Sequence, residues 1–267
     1  MADYSQALAG LTESSFTHDG FTHRVFRTGS GPAVIVIHEA PGLHPGVIEF
    51  GRRLVDAGFT VFMPSLFGTP GKEFGIPYAI RSLSRACVTR EFTAFAMNRT
   101  SPVIGWLRKL AAEAHDECGG PGVGAIGMCF TGGYALGMMV EEDILAPVLS
   151  QPSLPLGPGR KRDAAVGISD EDFTRVKQRV ASDGVCVLGL RFSADKLVPG
   201  ERFETLRREL GDGFIAVEID SSKGNPFDIK RRAHSVLTID LVDEPDHPTR
   251  AALDQVLDFL RERLLSA

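Results

Sequence analysis

The first third of the chain reads as strands with one helix between them. Phe16 to His23 sets an Asp19-Gly20 turn between two short extended runs, which is a hairpin signal. Ala33 to Ile37 is apolar at every position, as expected of a strand buried on both faces of a parallel sheet. Pro45 to Ala57 carries Val47, Ile48, Leu54 and Val55 at helical spacing and is ended by Gly58, after which Thr60 to Met63 resumes a strand. Ser65 to Pro102 interrupts this alternation. It mixes Gly and Pro with Arg81, Arg85, Arg90 and Arg99, and predicts a partly helical excursion beside the sheet edge.

The alternation then returns. Val103 to Cys118 places Ile104, Leu107, Leu110, Ala111 and Ala114 on one helical face. Val123 to Gly127 predicts a strand, Thr131 to Val140 a helix and Ala146 to Leu149 another strand. Gln151 to Arg162 is a loop by its Pro and Gly content, with a helix expected from about Asp172 to Ala181. Val185 to Leu190 and Phe214 to Ile219 predict strands, Glu201 to Leu210 and Thr249 to Leu264 helices. With no repeat and no linker, all 267 residues are expected in one α/β domain, a mostly parallel central sheet with helices on both faces.

Composition narrows the classes of function. Hydrophobic residues at 43% and charged ones at 24% exclude disorder as the main state. Twenty-nine basic against thirty-four acidic side chains leave a net charge of −5, which argues against a nucleic-acid partner. No apolar run reaches the roughly 18 residues of a membrane span, and the opening residues lack a secretory signal. Cys87, Cys118, Cys129 and Cys186 form no CxxC pair, so neither a zinc knuckle nor a disulfide framework is written here. The expectation is a cytoplasmic protein acting on a small molecule, with no membrane partner and no cofactor.

The strongest chemical signal is Ile126-Gly127-Met128-Cys129-Phe130-Thr131-Gly132-Gly133. A strand runs into Gly127 and a helix opens after Cys129, the arrangement of a nucleophile elbow, in which a sharp strand-to-helix turn exposes the nucleophile. The helix N-terminus favours a thiolate there. On this motif alone, a buried packing cysteine is an equally good reading. Two later residues move the balance. Asp195 follows the strand ending at Leu190, and His234 follows the strand Phe214 to Ile219. Taken singly, one reads as a helix cap and the other as a loop histidine. Nucleophile, acid and base in the order Cys129, Asp195, His234 is the order of an α/β-hydrolase triad.

His38-Glu39-Ala40-Pro41-Gly42 closes the early strand. HExxH is not completed, because Gly42 stands at the second histidine position and Pro41 breaks the helix that motif needs, so no metal site is expected. In a triad fold this loop supplies one oxyanion-hole N–H and the residue after the nucleophile the other, which makes Ala40 and Phe130 the candidates. Glu39 is expected near Cys129, as a solvated loop residue or as part of the thiol's proton chemistry. Gly122 to Gly127 matches GxGxxG, but these residues are themselves the strand and not a loop opening a helix, so no nucleotide site is read from them. Asn98-Arg99-Thr100 is given no role as a glycosylation acceptor. His18, His23, His44, His115 and His247 are expected at the surface or in turns, and Arg160-Lys161-Arg162 in a solvated loop.

From about Gly31 to Leu260 the chain resembles the dienelactone hydrolase family of the α/β-hydrolases. The resemblance rests on Glu39, Gly127-x-Cys129 with Gly132-Gly133, Gln151-Pro152-Ser153-Leu154-Pro155, Asp195-x-x-Val198-Pro199 and His234-Ser235. It implies the α/β-hydrolase fold and a lactone or ester hydrolase working through a thioester acyl-enzyme. It also implies Cys129 as nucleophile, His234 as its base, Asp195 orienting the histidine and Glu39 controlling ionisation of the thiol. An acyl-thioester hydrolase, or a non-catalytic small-molecule binder or thiol sensor on the same scaffold, are the alternatives. Two departures stand out. Thr131 replaces a glycine common in the family. Thr238 lies four places after the histidine, where relatives acting on small dienelactone carboxylates carry an arginine. A hydroxyl cannot grip a carboxylate as a guanidinium does. Such substrates are therefore expected to be disfavoured unless Arg81, Arg85, Arg90, Arg231 or Arg232 supplies the charge.

Overall fold

The computed structural model describes residue 4 and residues 6–265. Asp19 and Gly20, both at positive φ (49° and 78°), form the tight turn between strands β1 (Thr12–His18) and β2 (Phe21–Gly29). Beyond them come β3 (Ala33–Ile37), α1 (Pro45–Asp56), β4 (Thr60–Ser65), α2 (Ile76–Val88) and α3 (Pro102–Cys118). Then follow β5 (Val123–Met128), α4 (Tyr134–Met138), β6 (Ile144–Ser150), α5 (Arg160–Asp163) and α6 (Asp170–Asp183). The chain closes with β7 (Val187–Phe192), α7 (Gly200–Leu210), β8 (Phe214–Ile219) and α8 (Pro248–Leu264).

The eight strands form one sheet in the order β1-β2-β4-β3-β5-β6-β7-β8. The hairpin adds β2 antiparallel to β4, and every pairing from β4 through β8 is parallel. Side-chain alternation along the inner strands splits the core in two. Ala33, Ile35 and Ile37 of β3 face a layer with Trp106, Tyr134, Val176 and Phe203 from α3, α4, α6 and α7. Val34 and Val36 face Val47 and Leu54 of α1 with Leu253 and Val256 of α8. This is the mostly parallel sheet with helices on both faces, and it is an α/β-hydrolase fold. Its parallel strands end along one edge, where an open α/β sheet presents its crevice. Among the described residues no helix is long and apolar enough to cross a membrane.

Three elements differ from the sequence expectation. The helix expected over Thr131 to Val140 is a 3₁₀ turn, Cys129–Thr131, followed by the five-residue α4, because Gly132, Gly133 and Gly137 weaken helix propagation. Cys186 precedes β7 instead of lying in it. Arg160 to Arg162 belong to α5, and Arg162 donates to the Leu156 carbonyl at 2.8 Å, bracing the loop from which it was expected to extend into solvent.

Candidate active site

β5 delivers Cys129 at φ 54°, a left-handed conformation that costs a non-glycine residue about 1–3 kcal/mol and persists only where packing enforces it. Two close approaches enforce it here. A Cβ on Gly127 would lie 2.2 Å from the Thr131 carbonyl oxygen, and one on Gly132 2.5 Å from Cα of Pro152. Thr131, the departure from the family pattern, adds a tie. Its hydroxyl accepts from the Met128 N–H at 3.1 Å and lies 2.9 Å from the Ile37 carbonyl, which it can reach as donor. The elbow is thereby fastened to the end of β3.

The acid and the base arrive from later strands. Asp195 sits three residues beyond β7, and its Oδ1 accepts the Leu197 N–H at 2.9 Å. Arg191, buried at the end of β7, donates to the Val198 and Ser193 carbonyls at 3.0 Å and holds the loop. Oδ2 of Asp195 meets Nδ1 of His234 at 2.6 Å. The His234 and Ser235 N–H groups both donate to Asp240 Oδ2, at 2.8 and 3.0 Å, which fixes the turn that presents the imidazole. Nε2 of His234 is buried without a partner in hydrogen-bond geometry among the described residues. Burial acts most strongly on this ring and would lower its pKa. The electrostatic interaction with Cys129 and the bond to Asp195 outweigh burial, and the pKa stands well above the ordinary 6.5. The Ser153 hydroxyl donates to the Cys129 sulfur from 3.7 Å. The Ser153 N–H also donates to the Cys129 carbonyl at 2.9 Å. Arg202 holds this segment from behind, donating to the Pro152 carbonyl, and its own burial pushes the guanidinium down to about 10.

Glu39 is buried, but its carboxylate is not directed at the thiol as expected. Four donors occupy its two oxygens: Ser235 Oγ at 2.6 Å, Gln151 Nε2 and His44 Nε2 both at 3.2 Å, and the Thr238 hydroxyl. His44 Nδ1 accepts the Gly46 N–H at 3.1 Å, so the proton lies on the Nε2 that faces Glu39. Burial would raise the Glu39 pKa, yet the His44 bond and the hydroxyls together hold it below its ordinary value. His38, beside it, is a neutral strut. Nδ1 meets the Glu39 carbonyl and Nε2 accepts the Leu66 N–H, both at 3.0 Å, and burial lowers its pKa to about 4.

The structure thus brings Cys129, Asp195 and His234 together and sets Glu39 beside Ser235. The Thr238 hydroxyl is a donor to Glu39. His44 and His247, expected at the surface or in turns, are both buried and cap the N-termini of α1 and α8. His23 is largely buried too, with Nε2 3.0 Å from Glu91. Arg81 and Arg85 line a small cavity of about 130 Å³ with Phe67 and Tyr78. A larger one, about 400 Å³, opens at Asp195 and His234 and is also lined by Lys196, Leu197, Arg231 and Arg232. Of the replacement arginines, it is therefore the last two that adjoin the histidine. The sequence singles out none of Asp240, Arg191 and Arg202, and Arg202 acts through a bond to Pro152, 50 residues away, that no local pattern announces. Among the described residues no group of three or more His, Cys, Asp or Glu is arranged to hold a metal.

The dienelactone hydrolase family model matches residues 22–155. No curated protein matches the chain. Among solved structures, a protein from Klebsiella pneumoniae subsp. pneumoniae assigned as a dienelactone hydrolase is 18% identical with TM-score 0.62, over 94% of this chain and 98% of its own. A dienelactone hydrolase-like promiscuous phosphotriesterase from metagenomic libraries is 18% identical with TM-score 0.59, over 95% and 98%. A cold-adapted esterase from an Arctic intertidal metagenomic library is 17% identical with TM-score 0.56, over 94% and 92%.

Replacing Glu39 by Gln removes an acceptor from a buried set of donors and should cost about 3 kcal/mol of stability near neutral pH. Because the folded carboxyl titrates below its ordinary 4.5, its stabilisation is complete above that pH and is lost as pH falls through the folded value. The deficit of Glu39→Gln, read from urea unfolding, should shrink below about pH 4.5. A deficit constant from pH 7 to pH 3 would show that the charge of Glu39 is not what stabilises.

Proposed function

Because the chain belongs to the dienelactone hydrolase family, whose members are ester and lactone hydrolases, we propose that it hydrolyses its substrate through a thioester on Cys129. The observation that carries this reading is the meeting of a histidine, paired with Asp195 at 2.6 Å, and a cysteine on a left-handed elbow whose charge raises that histidine's pKa. The Cys129 thiolate attacks the substrate carbonyl carbon. The N–H groups of Ala40 and Phe130 receive the oxyanion, a contribution of about 3 kcal/mol per donor. The carbon–oxygen bond to the leaving group breaks, and the proton on Nε2 of His234 goes to the departing oxygen. Water then attacks the thioester, giving a proton back to His234, and the acid leaves as the thiolate returns. Asp195 orients the ring and favours its charged form throughout. Glu39 acts on this machinery at one remove, by holding Ser235 beside His234, and not on the sulfur. A small-molecule ester or lactone is the only partner this chemistry requires.

Cys129→Ala should abolish hydrolysis of a chromogenic ester, while Cys87→Ala, Cys118→Ala and Cys186→Ala retain it. An inactive but folded Cys186→Ala, or an active Cys129→Ala, would overturn the assignment.

Asp195→Asn removes one of the groups that raise the His234 pKa. The basic limb of the kcat/KM profile should therefore move to lower pH, alongside a fall in rate of at least about 100-fold. An unshifted limb would mean that Asp195 does not act on the ring electrostatically.

The Ser153 hydroxyl lies within reach of two acceptors, the Cys129 sulfur at 3.7 Å and the Gln151 carbonyl at 3.2 Å. It can donate to the sulfur when that sulfur is charged. Ser153→Ala should shift the pH profile of Cys129 alkylation upward, and Ser153→Thr should restore it. Profiles unchanged in both variants would leave Ser153 a packing residue only.

A further inference from the structure

The turn that carries Ala40 is held from two sides. On one side the Glu39 carboxylate is fixed by His44, Gln151, Ser235 and Thr238. The Gly42 N–H closes the turn onto the Glu39 carbonyl at 2.9 Å, with Ala40 and Pro41 at its centre. On the other side stands α2, whose Ser82 hydroxyl donates to the Pro41 carbonyl at 2.6 Å in a buried bond. This is not the bond a helical serine makes by default. Such a hydroxyl commonly turns back to the carbonyl four residues earlier, as Ser84 does to Ile80 at 2.8 Å. Ser82 instead reaches a carbonyl 41 residues away.

The same helix holds the loop after β4. Tyr78, one turn before Ser82, accepts the Thr69 N–H at 2.5 Å. That loop and the Ala40 turn lie backbone to backbone. A Cβ on Gly68 would stand 2.1 Å from the Pro41 carbonyl oxygen, and one on Gly42 2.6 Å from that of Phe67. The Phe67 ring lies edge-on to His38 and Phe130, with centroids 4.5 and 5.6 Å away, so the loop backs both candidate oxyanion donors. Packing does not fill the corner, because the cavity of about 130 Å³ is bounded by Gly68, Tyr78 and Ser82. Resting on the proposed thioester chemistry, we infer that Ser82 is a positioning residue for the acylation step. Through the Pro41 carbonyl it fixes the turn whose Ala40 N–H receives the oxyanion. Such a donor works by standing in place before the charge develops, and a displacement of about 1 Å can cost on the order of 100-fold in rate.

The test compares two reactions of the same thiol. Acylation of Cys129 by p-nitrophenyl acetate, read as p-nitrophenol released in a single turnover, develops an oxyanion. Alkylation of Cys129 by iodoacetamide, followed by peptide mapping, displaces iodide at a saturated carbon and develops none. In Ser82→Ala the acylation rate should fall about tenfold or more while the alkylation rate stays within about twofold. Ser82→Thr, which keeps the hydroxyl, should recover most of the lost acylation rate. Tyr78→Phe, which frees the other loop from α2, should show the same split in smaller measure, and it carries the test where Ser82→Ala does not fold. Acylation unchanged in Ser82→Ala, equal falls in both rates, or no recovery in a folded Ser82→Thr would overturn the assignment while leaving the triad intact. A parent enzyme that never acylates Cys129 would remove the triad reading and this proposal with it.

Discussion

The site depends on one backbone constraint, the left-handed turn at Cys129. A strand that ended there in ordinary geometry would carry its side chain along the sheet and bury it. At φ 54° the chain reverses sharply and lifts the sulfur off the end of β5. The strain is borne by contacts with no room in them. Gly127 lies against the Thr131 carbonyl, Gly132 lies against Pro152, and the Thr131 hydroxyl ties the turn to β3. Because Pro152 belongs to the segment that also carries Ser153, the packing that enforces the turn brings a hydroxyl to the sulfur it exposes.

Around that turn the charges fall into two groups that share a loop but not a task. Asp195 faces His234, and the neighbouring Cys129 and Asp195 together hold the pKa of that ring up. Glu39 faces donors only, and its ionisation fastens the ends of β3, β6 and the His234 loop to one another through His44, Gln151 and Ser235. A buried carboxylate with four donors is a structural anchor in its own right. It sets where Ser235 lies, and His234 is the next residue in the chain. The anchor and the imidazole are thus adjacent, which is why a change at Glu39 is expected to be felt at His234 through Ser235.

What the sequence made legible follows from where the information is local. Phe214–Ile219 is recovered residue for residue, and most other elements within two or three positions, because apolar periodicity and Gly or Pro punctuation are written in consecutive residues. The convergence of three residues was legible for a related reason. Cys129, Asp195 and His234 each follow a strand, and the carboxyl ends of parallel strands lie along one edge of the sheet. The orientation of Glu39 was not legible, because it is decided by Ser235 and Thr238, 196 and 199 residues away. His44 looked like a turn residue for the same reason, its partner being that same carboxylate. The helix after Cys129 was overestimated because apolar spacing was weighed above the glycines that shorten it.

The central claim is covalent, and it is tested most directly by catching the intermediate. Enzyme mixed with a slowly turned-over ester, quenched in acid during the steady state and analysed by intact mass and peptide mapping, should carry one acyl group, labile to hydroxylamine, on the peptide containing Cys129. The acyl group should be absent from the Cys129→Ala protein under the same quench. An acyl group on a serine or on another cysteine, or steady turnover with Cys129 unmodified in a protein whose Cys129→Ala variant is still active, would contradict the account.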